Sequence, residues 1–151
     1  MAAPTAPIIG FNGKMYYNTG TYGTPTWTII SNVGDLKMTD EADEGEIKLR
    51  SGGGFYLYVA GLRKLGWEWT SMYDPADTAI TALIAAYDAR TAKEFLILDQ
   101  ASGTTGSAGF RATCTITKAP RQEELNSAMT YEFAIKPTYT SNAAPARYTA
   151  P

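Results

Sequence analysis

Apolar and polar side chains alternate along two stretches in the second half of the chain, and this alternation constrains the fold more than any other feature. In the first stretch the apolar positions are Phe110, Ala112, Cys114 and Ile116. In the second stretch they are Met129, Tyr131, Phe133 and Ile135. Successive side chains of a β-strand point to opposite faces of its sheet, so each stretch predicts a strand with one buried and one exposed face.

Other stretches also predict strands, because they alternate or because they are rich in β-branched and aromatic residues. They are Trp27–Val33, Glu46–Arg50, Phe55–Val59, Leu65–Tyr73 and Glu94–Asp99. One helix is predicted over residues 75–90, because Asp74 can cap its N-terminus, Pro75 suits its first position, and apolar residues recur from Ile80 at helical spacing. These elements predict a mainly-β protein, an antiparallel β-sandwich or barrel with one flanking α-helix.

Composition excludes several classes of function. The chain has 151 residues, enough for one domain, and its 13 Lys and Arg against 15 Asp and Glu argue against a dedicated nucleic-acid-binding protein. It contains no His and a single cysteine, Cys114, which excludes His-based catalysis and an internal disulfide. No catalytic residue, cofactor-binding residue or metal ligand is predicted. No secretory signal and no membrane-spanning stretch is recognised, so a cytosolic chain is expected.

The segment from Met38 to Gly54 combines carboxylates with three consecutive glycines. Its candidate assembly residues are Asp40, Glu41, Asp43, Glu44, Gly52, Gly53 and Gly54. A phosphate loop would need a Lys and a Ser or Thr after the glycines, and a calcium loop would need ligands at alternate positions. Neither pattern is present, although a weak cation site remains an alternative. We expect a mobile acidic loop that becomes ordered when another subunit contacts it.

Both ends of the chain are rich in Ala, Pro and Thr, which predicts an N-terminal arm over residues 1–10 and a C-terminal arm over 141–151, around a single domain over 11–140. The C-terminal arm is expected to be disordered in a monomer, because such a sequence cannot form its own core. Arg147 and Tyr148 are its candidate anchors on a neighbouring subunit, since an aromatic side chain anchors at low entropic cost.

Trp67 and Trp69 lie on one face of a predicted strand. Two exposed indole rings can form a stacking platform for sugars, and the protein would then be a β-sandwich carbohydrate-binding module. Aromatic residues at period-two spacing are more often core residues, and the core interpretation is preferred here.

Six segments follow one another in a characteristic order. They are Asp35–Met38, Glu44–Ser51, Leu62–Pro75 ahead of the helix, Phe95–Asp99, Gly109–Lys118 and Met129–Thr138. Together they resemble the tail tube proteins of tailed bacteriophages, over roughly residues 12–140, in the order of elements rather than in a signature motif. The resemblance implies a β-sandwich whose copies form hexameric rings, with four strands of each copy closing an inner barrel and the rings stacked into a hollow tube for DNA delivery.

The same resemblance implies no enzymatic activity and no cofactor. The implied partners are other copies of the chain, the tape measure, completion or tip proteins of a tail, and DNA that passes without specific binding; no membrane is involved. The implied location is the virion tail, with the host cytoplasm during assembly. A tube subunit of a contractile injection machine or a type VI secretion machine is the alternative with the same fold.

In such a tube, the polar faces of the two alternating strands would line the lumen. The candidate lumen residues are Arg111, Thr113, Thr115, Thr117, Thr130 and Glu132. Each Lys or Arg in a lumen adds a contact with DNA phosphate, so a face rich in Thr suits a conduit. The helix is expected on the outside of the tube.

Overall fold

Nine strands and one α-helix form the described part of the computed structural model, residues 8–151. The strands are β1 (Lys14–Asn18), β2 (Trp27–Ile29), β3 (Val33–Ile47), β4 (Leu57–Met72), β5 (Lys93–Leu98), β6 (Ala108–Lys118), β7 (Arg121–Gln122), β8 (Thr130–Pro137) and β9 (Ala146–Thr149). The helix is α1 (Thr78–Ala89), and short 3-10 turns cover Gly10–Asn12 and Arg50–Gly52. Most of the predicted N-terminal arm, residues 1–7, lies outside the described residues.

The strands belong to one antiparallel sheet in the order β2-β1-β5-β6-β8-β4-β3, with β7 beside β8 and β9 beside β6. Strands β2 and β3 are the two outer strands of this path. The predicted mainly-β, antiparallel fold with one helix is therefore confirmed.

The sheet curls until strands that are distant in this order come into contact. Trp69 of β4 meets Phe95 of β5 edge to face, with ring centroids 6.3 Å apart, although β6 and β8 lie between these strands. Trp67 of β4 meets Phe110 of β6 in the same way at 6.0 Å. The main core lies inside this curl, and the apolar faces predicted for β6 and β8 point into it.

Helix α1 closes one side of the core with Ala79, Ile80, Leu83 and Ala86, all of which are buried. The predicted N-cap, Asp74, is wrong by three positions. The carboxylate of Asp77 accepts the hydrogen bond from the Ala79 amide at 2.9 Å and caps the helix. Asp74 instead closes the preceding turn, where it accepts from the Ala76 amide at 2.9 Å. Both aspartates suit a cap, and the turn that leads out of β4 decides between them.

A second, smaller cluster covers the opposite face of β1 and β5. Tyr16, Leu96 and Leu98 are buried there against Trp27 and Tyr148. This half of the sheet is therefore covered on both faces, whereas β8 and the second half of β4 are packed on the core face alone and β3 has no buried residue. The distinction decides which surfaces remain available to a partner.

The pairing of β5 and β6 depends on the absence of a side chain at Gly109. A Cβ at this position would lie 1.7 Å from the carbonyl oxygen of Ile97, which is backbone and cannot turn aside. We predict that Gly109→Ala lowers the free energy of unfolding by about 3 kcal/mol or more, because the two strands must separate locally. Gly103→Ala is the control, since nothing lies within 4 Å of its Cβ position. Chemical denaturation of both variants measures the effect, and equal stabilities would contradict it.

Candidate assembly surfaces

A long β-hairpin projects beyond the body of the sheet. Strands β3 and β4 have 15 and 16 residues and pair as far as Ile47 and Leu57. Strand β4 pairs with β8 only from Trp67 to Met72, so its first ten residues have β3 as their one strand neighbour in the described chain. At roughly 3.3 Å per residue, this projecting part, residues 40–65, reaches about 30 Å from the sheet. We call it the projecting hairpin.

The projecting hairpin replaces the predicted mobile acidic loop and joins the strands predicted over Glu46–Arg50 and Phe55–Val59. Two of its carboxylates are matched across the strands: Arg63 donates to Asp40 at 3.1 Å and Lys64 to Asp43 at 2.7 Å. The hydrogen bond from Arg63 holds the pKa of Asp40 below its usual value. The loop prediction was wrong because the cations that pair with these acids lie more than 20 residues further along the chain.

The end of the hairpin does contain the expected glycine turn. Gly53 and Gly54 have φ values of 64° and 85°, in the left-handed region where a side chain is unfavourable. Beside this turn, large apolar side chains face solvent without cover from the other residues that the structure describes. They are Leu49, Phe55, Tyr56, Leu57, Tyr58 and Val59. An exposed apolar patch of this size is typical of an interaction surface.

The outer faces of β4, β8 and the end of β6 form a second exposed surface, here called the open face. Trp67 and Trp69 point into the core, so Glu68 and Thr70 point out, and Thr70 lies directly opposite Glu132 of β8. The open face holds four of the predicted lumen residues. They are Thr115, Thr117, Thr130 and Glu132.

Cations and anions alternate on the open face. Lys37 of β3 lies opposite Glu68, and Lys118 donates to Glu132 at 3.0 Å. The hydrogen bond that Lys118 donates to Glu132 raises the pKa of Lys118. The lumen residues predicted from the sequence include none from β3 or β4. The alternation of Glu68 and Thr70 with Trp67 and Trp69 nevertheless indicates that β4 has a polar outer face.

The other two predicted lumen residues, Arg111 and Thr113, are covered by the chain itself. Arg111 forms an ion pair with Glu94 and lies over the ring of Tyr22, 4.4 Å from its centroid. Thr113 is 7% exposed and accepts a hydrogen bond from Asn142 at 3.2 Å. The alternation correctly gives the face of β6 to which these side chains point, but segments distant in sequence lie over that face.

The C-terminal segment is ordered on its own subunit, contrary to the predicted disorder. Strand β9 pairs with residues 108–111 of β6. Tyr148 packs on the cluster of Tyr16 and Leu98, and the guanidinium of Arg147 lies 4.8 Å from the ring centroid of Phe110. In this structure both predicted anchor residues are engaged within the subunit, because β6 offers an unpaired edge there.

Among the described residues, neither a sugar-stacking platform nor a cation site is found. Trp67 and Trp69 are 1% and 3% exposed, and the Trp69 Nε1 donates to Ser71 Oγ at 3.0 Å inside the core, so a sugar cannot stack on them. Within residues 8–151, no group of three or more Asp, Glu, Cys or His side chains is placed to hold a metal ion. Over the same range, no helix is long and apolar enough to cross a bilayer. Cys114 is buried as expected, which raises the pKa of its thiol to about 12.

Comparison with known proteins finds solved structures with a similar fold. No protein-family model matches the chain, and no curated protein sequence matches it. Among solved structures, a chain in the tail of an empty gene transfer agent particle, refined with C6 symmetry, matches 87% of this chain and 95% of its own length with a TM-score of 0.70 at 18% identity. The SPP1 tail tube matches 86% of this chain and 75% of its own, with a TM-score of 0.70 at 14% identity. The chain has the tail tube fold.

The tail tube fold also occurs in a contractile machine. A chain in the sheath-tube complex of an extracellular contractile injection system matches 95% of this chain and 92% of its own, with a TM-score of 0.65 at 11% identity. At these identities the likeness concerns the path of the backbone. The surfaces described above are made of this chain's own side chains and are not inferred from those structures.

The ion pair of Arg111 with Glu94 is buried enough to matter for stability. The side chain of Glu94 is 6% exposed, so Arg111→Ala leaves a buried carboxylate without its cation. We predict a loss of about 3–5 kcal/mol in the free energy of unfolding. Arg121→Ala removes an exposed pair with Glu123 and is expected to cost under about 1 kcal/mol. Denaturant titration separates the two, and similar losses would argue against the burial of this pair in solution.

Removal of residues 141–151 is predicted to destabilise the isolated subunit. The truncation deletes β9 and uncovers Tyr16 and the two leucines beneath Tyr148, at a cost of about 2–4 kcal/mol. Removal of Pro151 alone leaves β9 intact and is the control. Thermal unfolding of the two truncated proteins tests the effect. An unchanged melting temperature after the long truncation would mean that β9 is not bound to β6 in solution.

Proposed function

We propose that the protein is the structural subunit of a phage tail tube, whose copies assemble into stacked rings around a channel for DNA. The tail tube fold with a projecting hairpin on an open-edged sheet is the observation that carries this proposal. The proposed location is the virion tail, after assembly in the host cytoplasm. The proposed role is structural and requires neither a catalytic residue nor a cofactor.

Ring closure has a physical basis in the outer strand β3. Within residues 8–151, its far edge has no paired strand along 15 residues, and such an edge is a template for pairing with another chain. Pairing with a different edge of a neighbouring copy is heterologous, and it closes into a ring when the rotation permits. Six copies per ring is the proposed number, in line with the C6 symmetry of the related gene transfer agent tail.

The open face is the proposed lining of the channel, with Thr115, Thr117, Thr130 and Glu132 among its residues and Glu68 and Thr70 added. Two of its cations face anions of the same surface, since Lys118 donates to Glu132 and Lys37 lies opposite Glu68. Paired cations hold DNA phosphates less firmly than free ones, and passage through a long channel requires weak contacts in series. We thus propose that DNA passes through the channel without a specific binding site.

Other proposed partners are proteins at the ends of the tube and a tape measure inside it. A contractile injection machine uses the same fold, so a tube subunit of such a machine is the second candidate. The assembly proposed here is the same in both cases. The genes beside the coding sequence distinguish them, as a tape-measure gene indicates a tail and a sheath with a spike indicates an injection machine.

Negative-stain electron microscopy of the purified protein tests the proposal directly. Hollow tubes of uniform width are expected, and a monomer at high concentration under all salt conditions would contradict the function. The salt series is needed because surface charge pairs weaken as ionic strength rises.

The projecting hairpin is predicted to be required for tubes and dispensable for folding. Ala42 and Arg63 are paired residues of β3 and β4, so an Asn-Gly turn in place of residues 43–62 closes the hairpin at this position. We expect a folded monomer with unchanged unfolding and at least a tenfold loss of tubes by microscopy. Thr81→Ala, on the exposed side of α1, is the control. Tubes of normal length from the shortened protein would show that the hairpin is not an assembly element.

A further inference from the structure

A groove opens at the root of the projecting hairpin, where the sheet divides. Strand β9 continues the line of β8 along β6: β8 pairs with residues 114–118 of β6, and β9 with residues 108–111 in the same direction. Strand β4 follows β8 only as far as Trp67 and then leaves with the hairpin. The space between the two paths measures about 620 Å³ and is here called the root groove.

The root groove combines apolar walls with a rim of mixed charge, in which Arg63 and Lys64 pair with acids of the hairpin and Glu41 and Glu68 also take part. Leu65, Phe110, Pro137 and Pro145 are among its lining residues. Lys136 belongs to its rim, with its Cγ 3.6 Å from the Cβ position of Gly66. Within residues 8–151, Lys136 forms no ion pair. The groove thus suits an apolar side chain that is accompanied by a carboxylate.

The opposite end of β8 carries a segment with this chemistry. The loop between β7 and β8, residues 123–129, holds Leu125, which is 98% exposed. Two acids precede it: Glu123 pairs with Arg121 at 2.6 Å, whereas Glu124 has no cationic partner among the described residues. A leucine fully exposed in a polar loop gains by burial on a partner.

We propose that the β7–β8 loop of one copy docks in the root groove of the next, with Leu125 against the apolar walls and Glu124 beside Lys136. This inference rests on the proposed function and names the contact between successive rings. Donor and acceptor lie at opposite ends of the eight-residue strand β8. The contact is therefore head to tail, and it extends a tube when the rotation between copies does not close it into a ring.

The other candidate occupant of the groove is the apolar end of the projecting hairpin. It starts from the same end of the sheet as the groove and reaches about 30 Å beyond it. In a head-to-tail stack, the end of the next copy that carries its β7–β8 loop lies nearest the groove. The hairpin end of that copy lies further away. The unpaired Lys136 also favours the acidic loop, because Lys48 and Arg50 lie at the hairpin end.

Disulfide trapping tests the contact on the full-length chain. The double variant Thr39→Cys with Leu125→Cys puts one thiol in the groove and one in the loop of every copy. Mild oxidation during assembly is expected to give a ladder of covalent oligomers that extends beyond six copies, whereas each single variant gives at most dimers. The buried native Cys114 stays unreactive, since only a thiolate exchanges readily. Thr81→Cys with Leu125→Cys is the matched control.

A charge exchange provides the second readout. Glu124→Lys and Lys136→Glu are each expected to reduce tube yield by roughly fivefold or more, and the double variant is expected to restore it. Circular dichroism checks that the single variants remain folded.

The outcomes separate this inference from the proposed function. Absence of tubes from the unsubstituted protein would overturn the function, and the docking with it. Normal tubes without a ladder, or without rescue by the double variant, would overturn the docking alone. A ladder from Thr39→Cys with Tyr56→Cys in place of Leu125→Cys would assign the groove to the hairpin and would equally overturn the proposal.

Discussion

The contact of Trp69 with Phe95 across the curl of the sheet is the interaction on which the remaining architecture depends. It joins β4 to β5, which are separated by two strands in the sheet, and it packs beside Phe133 at a centroid distance of 5.5 Å. With β4 held from inside by its tryptophans, its outer face stays free and its N-terminal half can leave the sheet as a hairpin. One strand therefore contributes to the core, to the open face and to the projecting hairpin.

The alternation of β6 and β8 could be predicted from the sequence because each strand has one face in the core and one outside it. The projecting hairpin could not, since neither face of residues 40–47 is buried and the pattern of a half-buried strand is absent. Strand β9 has four residues and no pattern of its own, and the residues that it pairs with in β6 lie 35 to 41 positions earlier in the sequence. Periodicity likewise gives the direction of Arg111 and Thr113 but not the segments that cover them.

The described surfaces differ in how they balance charge. On the projecting hairpin the acids of β3 face cations of β4, as in the Asp40 and Arg63 pair. On the open face, opposite charges also lie on neighbouring strands, as Lys37 lies opposite Glu68. A buried pair, Arg111 with Glu94, stabilises the covered half of β6. Composition shows a net charge of −2 for the chain but does not reveal that opposite charges are neighbours.

The sequence of β3 also bears on how two free subunits meet. This strand carries six carboxylates and one lysine along its 15 residues, and its outer edge is unpaired. Two copies that approached with β3 against β3 would bring the same negative row together, and like charges in facing strands repel. The symmetric dimer is thereby disfavoured. The acids that obscure the strand pattern in the sequence thus also act against self-pairing of free subunits, an effect that added salt weakens.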